Sequence, residues 1–108
     1  MPRWAYIYEH PDTDPVRDRT VLKSRSQTTF LVPVPSTADA PQAARQLIED
    51  DAVESVELCG GFTLADASQV ASNLPGNIPV GHVTYSIDAV AGAAVVAASF
   101  AAAEASLD

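Results

Sequence analysis

The chain has a single cysteine, Cys59, among its 108 residues. A disulfide framework within the chain and a Cys-rich zinc module are both excluded. Basic residues are also scarce. Five Arg and one Lys stand against fourteen acids, for a net charge of −8. Neutralising phosphates takes clustered Lys or Arg roughly one for one, so a nucleic-acid role is excluded. Long apolar runs are missing as well. The longest uncharged apolar run, Ala89–Ala103, is fifteen residues and mostly Ala. A membrane span needs about 20. The N-terminus lacks an apolar segment of signal-peptide length. These absences lead to the expectation of a cytoplasmic protein with no nucleic-acid and no membrane partner. Two His with no helical pairing and no run of ligands give no expected metal site. No residue pattern names a cofactor.

What is present is aliphatic. Apolar residues make up 47% of the chain; Val, Ile and Leu number 23 and Ala nineteen. That many core formers exclude intrinsic disorder. The length fits one domain over 1–108, with an Ala-rich helix over 88–106 at its end.

Four strands are expected from β-branched and aromatic runs stopped by Pro, Gly or Asp. They are Trp4–Glu9, Thr28–Val32, Ser55–Cys59 and Pro79–Tyr85. Asp14-Pro15 opens a possible helix running to about Lys23, with Asp14 as its cap. Ala40, Ala43, Ala44, Leu47 and Ile48 recur at helical spacing. Asp50-Asp51 at its end predicts fraying, since acids oppose the dipole there. Thr63 and Asp66 form a capping box before a helix reaching Leu74. The order βαβαβαβα implies an α/β fold: a four-stranded, mainly parallel open sheet with flanking helices, flavodoxin-like or Rossmann-like. A half-barrel closing by oligomerisation is the alternative.

Open α/β sheets bind ligands beyond the carboxyl ends of their strands. Glu9, His10 and Asp12, then Ser36 and Thr37, then Cys59 to Thr63, then Tyr85 to Asp88 reach that edge. In Cys59-Gly60-Gly61-Phe62-Thr63, two glycines allow close backbone approach. Free amides at the following helix would hold an anion. Gly60, Gly61, Thr63 and Ser86 are therefore the candidate ligand-binding residues, for a small anionic metabolite. A tight turn without a ligand is the plainer reading of the same residues. Cys59 is a candidate nucleophile, with His10 or His82 as base. Glu57 lies two residues before Cys59 and so shares its face. It could pair with His82 if their strands are neighbours, as an acid/base couple or a structural one.

The last helix is apolar all round. Ala89, Ala93, Val96, Phe100, Ala103 and Leu107 form one stripe, and Ala91, Ala94, Ala98, Ala102 and Ala105 another. A surface helix needs only one. A homo-oligomer, with a dimer as first guess, is expected.

Val56-Glu57-Leu58-Cys59-Gly60-Gly61-Phe62, followed by Ile78-Pro79-Val80-Gly81-His82-Val83, resembles a family of small prokaryotic α/β proteins of unknown function. The opening strand, the Asp14-Pro15 start and the Ala-rich middle helix are similar to it too. The resemblance departs after Tyr85. It implies the α/β fold over most of the chain and carries no catalytic residues across. Three functions remain open: small-anion binding, a small isomerase, lyase or hydrolase using Cys59 or Glu57 with a His, and a structural oligomer-forming subunit.

Overall fold

The computed structural model describes residues 2–107. Five strands form one open sheet: β1 (Arg3–Glu9), β2 (Thr20–Lys23), β3 (Thr28–Val34), β4 (Ser55–Leu58) and β5 (Val80–His82). Their spatial order is β2-β3-β1-β4-β5. β3, β1, β4 and β5 run parallel, while β2 lies antiparallel on the outer edge of β3. Helix α1 (Ala40–Asp51) joins β3 to β4, α2 (Leu64–Ser72) joins β4 to β5, and α3 (Val90–Ala105) follows β5. The fold is α/β as the alternation implies, and the sheet does not close into a half-barrel.

The helix expected over Asp14–Lys23 is replaced by a turn and a strand. Asp14 does cap: its carboxylate accepts from the amides of Val16 and Arg17, each at 2.9 Å. Those amides, Arg17 foremost, hold Asp14 below the usual carboxylate range. Asp18 is held low chiefly by a hydrogen bond from the Arg17 side chain. The turn stops there. Thr20 and Val21 are β-branched strand formers, and with no apolar helical stripe the segment extends along β3. The sheet therefore has five strands rather than four.

That replacement decides which face is covered. From β3 over β1 to β4, and from β4 to β5, the chain steps in one direction. Right-handed crossovers then place α1 and α2 on the same face. A helix between β1 and β3 would step the other way and lie on the opposite face. β2 occupies its place in the sequence. The covered face buries Ala5, Ile7, Phe30, Val32, Val34, Val56 and Leu58 with Ala43, Ala44 and Leu47 of α1 and Val70 of α2. The opposite face carries Trp4, Tyr6, Tyr8 and Leu31, all half-buried. The Tyr6 and Tyr8 rings stack there at 6.2 Å.

Basic side chains meet the acidic end of α1. Arg19 pairs with the Asp51 carboxylate at 3.0 Å, and Arg3 Nε donates to the Asp51 carbonyl at 2.6 Å. The helix closes on Ala52 in the left-handed region, at φ 54°. A Cβ is strained there, and glycine is the usual occupant. Ala52→Gly is expected to stabilise the protein by about 0.5 kcal/mol, because relieved strain outweighs added unfolded-chain freedom. A higher urea midpoint at unchanged slope checks this.

A 3-10 helical turn, Ile87–Ala89, leads into α3. Together Ile87–Ala105 make 19 residues, long and apolar enough by length and composition to cross a membrane, with no part buried. The turn adds length to the fifteen uncharged residues read from the sequence.

Candidate functional site

β1 leaves towards β3, and its neighbour β4 leaves towards β5. The chain diverges at their carboxyl ends, which is where open α/β sheets form a ligand crevice. Helix α3 passes over this point without packing down on it. Two adjoining hollows, of about 280 and 360 Å³, separate helix from sheet. Cys59, Gly61, Ala97 and Phe100 line both. Tyr6, Gly60, Val83, Tyr85, Ala93 and Val96 complete one, and Glu9, Ala101 and Glu104 the other.

The strand pleat explains the lining. Tyr6 stands opposite Glu57 in the β1–β4 register, and Cys59 follows two residues after Glu57. All three therefore project to the uncovered face. The Tyr6 phenol is pushed above its usual range, first by burial and then by the potentially anionic Cys59, Glu57 and Tyr85. It stays protonated and keeps a hydrogen to donate. Two glycines make room for this cluster. A Cβ on Gly81 would lie 3.4 Å from Glu57 Cγ, so the Glu57 chain lies across β5. A Cβ on Gly60 would meet the Tyr85 ring at 3.3 Å. Gly60 is thus filled by an aromatic side chain of the protein itself, and no described glycine has positive φ.

The remaining candidates go elsewhere. β4 and β5 are neighbours, but Glu57 lies in register with Gly81, and His82 with Leu58. Glu57 and His82 project to opposite faces and form no pair. His82 Nε2 lies 2.7 Å from the Phe62 carbonyl oxygen and donates to it. His10 is exposed; its ring nitrogen Nδ1 lies 3.2 Å from the Pro11 carbonyl oxygen. Neither His lines the hollows beside Cys59. A Cys–His nucleophilic couple is not assembled. Thr63 caps α2: its hydroxyl accepts from the Asp66 amide, and the Asp66 carboxylate accepts from the Thr63 amide. Asp66 thus places a carboxylate at the helix start, which an anion at Gly60, Gly61 and Thr63 would face. Ser86 donates to Asp88, holding that carboxyl below the usual range. It does not line the hollows. Among the described residues no His, Cys, Asp and Glu cluster suited to a metal ion occurs.

Tyr6, Ala97, Ala101 and Glu104 are lining residues that the sequence does not single out, and Phe100 stands there only in an apolar stripe. The signal for Tyr6 was Trp4, Tyr6 and Tyr8 at alternate positions, which puts three aromatics on one sheet face. Phe100 had only helical periodicity, and that cannot say what the helix lies against.

The sequence matches the profile of a family described as "Family of unknown function (DUF6506)" over residues 2–98. The chain belongs to this family. The match runs beyond Tyr85 into α3, further than the two motifs implied. The DUF6506 region thus contains every sheet residue of the cleft and the first half of its helical roof. Phe100, Ala101 and Glu104 fall after it. No curated protein matches the chain, and no solved structure does.

Proposed function

We propose that this DUF6506 protein binds a small ligand with an apolar body and an amine in the cleft between β1, β4 and α3. One observation carries the reading. Tyr6, Tyr85, Cys59 and neighbouring Glu57 gather at a switch-point hollow that, among the described residues, no Lys, Arg or His lines. Ala97, Val96 and Phe100 supply an apolar wall. Glu9 and Glu104 of the lining, with Glu57 beside it, supply negative charge, and the two phenols supply hydrogen bonds. An anionic ligand would face these carboxylates without a cationic partner, so the lining favours the opposite charge to the one expected from Gly60-Gly61. The reading is one of binding, because the cleft holds a thiol without an imidazole base.

Thermal shift with 2-phenylethylamine, phenylacetate and inorganic phosphate tests it. The amine is expected to raise the melting temperature in proportion to log concentration once saturating. Glu57→Gln is expected to weaken amine binding about tenfold, the usual worth of a hydrogen bond to a charged group. Equal or greater stabilisation by phenylacetate or phosphate would overturn the charge assignment. No response to any of the three would overturn the proposal.

A further inference from the structure

The uncovered sheet face and helix α3 pose one question. Trp4, Tyr6, Tyr8 and Leu31 form an apolar surface over β1 and β3, and Leu22, in register with Thr29, extends it onto β2. Leu22 is 56% exposed. Among the described residues no helix packs along that surface, because β2 stands where the crossover would carry one. The same chain ends in a helix that is apolar on every side. Val90, Val95 and Val96 are all more than half exposed. α3 overlies the sheet only at the carboxyl end, around Tyr6, Cys59 and Tyr85. Val95, with Ala91, Ala98 and Ala102 at spacings of three and four, turns away from the cleft and lines neither hollow.

We propose that a second copy of this chain covers both surfaces. In this two-fold pair each α3 lays its Val95 stripe on the partner's β2-β3-β1 face. Three properties favour this occupant. The two bare surfaces are complementary in kind, a flat aromatic sheet face and a thin helix of small side chains. They also fit in size. Sixteen residues of α3 are about 24 Å long and about 10 Å wide. Two reciprocal footprints of that size bury on the order of 1,000 Å², the threshold of a specific interface. A lipid bilayer fits less well. The uncharged stretch Ala89–Ala103 spans about 22 Å against a hydrocarbon core of about 30 Å. Asp88 and Glu104 bound it, no Lys or Arg flanks it, and a bilayer would leave the Trp4 face bare.

Sedimentation of the full chain tests the pairing, with Trp4 as an internal reporter. Trp4 is the single tryptophan and lies on the face to be covered. A dimer is expected at about 50 µM, using a micromolar affinity as the working scale. Dilution should dissociate it, with a red shift of Trp4 emission at the same concentration. Val95→Glu and Leu22→Glu, both at exposed positions, are each expected to weaken pairing at least tenfold while far-UV dichroism is retained. A monomer throughout the range overturns the proposal. So does a dimer whose dissociation leaves Trp4 emission unchanged, or one that survives both substitutions. Flotation of a monomer with phosphatidylcholine vesicles overturns it in favour of the bilayer. If either variant misfolds, the wild-type dilution experiment decides alone.

Discussion

Leu58→Ala is expected to destabilise the protein by about 2–5 kcal/mol, the range for truncating a buried leucine. Leu58 is fully buried in β4, between Ile7 of β1 and His82 of β5 in register. Two penalties combine: lost burial of the removed carbons, and a cavity that three parallel strands cannot collapse. Domains of this size have total stabilities of about 5–15 kcal/mol, so the loss is a large fraction. The melting temperature should fall by about 10 °C or more. Leu64→Ala is the control. Leu64 is 77% exposed at the start of α2, and its loss should stay within about 0.5 kcal/mol. Similar losses for the two would contradict the assignment of the core to the α1 and α2 face. Leu58 also separates Glu57 from Cys59, so its removal should loosen the cleft at the same time.

His82→Ala is the second large effect, and it tests a structural role for a residue first considered as a catalytic base. Because the Phe62 carbonyl can only accept, Nε2 carries the imidazole hydrogen. Nδ1 is buried and has no hydrogen-bond partner among the described residues. The imidazole thus ties β5 to the Cys59–Phe62 turn, where the Phe62 amide also donates to the Cys59 carbonyl at 3.2 Å. Removing the donor leaves a carbonyl of a buried residue unpaired, which costs about 1–3 kcal/mol. Denaturant titration measures the loss. Amide exchange at Phe62 should quicken more than at Val32 of β3. His10→Ala, at an exposed loop position, should change neither. Unchanged exchange at Phe62 in His82→Ala would remove the tie as an explanation for the turn.

The chemistry of the site was partly legible in the sequence. Glu57 and Cys59 at alternate positions had to share a face, and that is how they meet Tyr6. The Thr63–Asp66 capping box was readable as well, because it is a local pattern satisfied within one helical turn. In the fold that box puts the Asp66 carboxylate on the Thr63 amide, at the helix start. Local sequence leaves Gly60 as room for a ligand; in the fold it is room for Tyr85. Nothing in the local sequence links positions 60 and 85; only the β4–β5 pairing does. The Asp14–Lys23 segment misled because Asp14-Pro15 is a sound helix start. Cap chemistry begins a helix without sustaining it, and pairing with β3 offered Thr20–Lys23 a better outlet.

By itself the sequence determined the α/β class, the parallel run of the main strands, and the helices α1, α2 and α3. These follow from periods of 2 and 3.6, which each segment expresses alone. The tertiary structure decided the rest: the antiparallel β2, the bare aromatic face, the separation of Glu57 from His82, and the lie of α3 over Cys59. Each of these depends on strand register and crossover direction. A shift of one residue exchanges the two faces of a strand, and the sequence spacing along one segment holds no record of its neighbour's register.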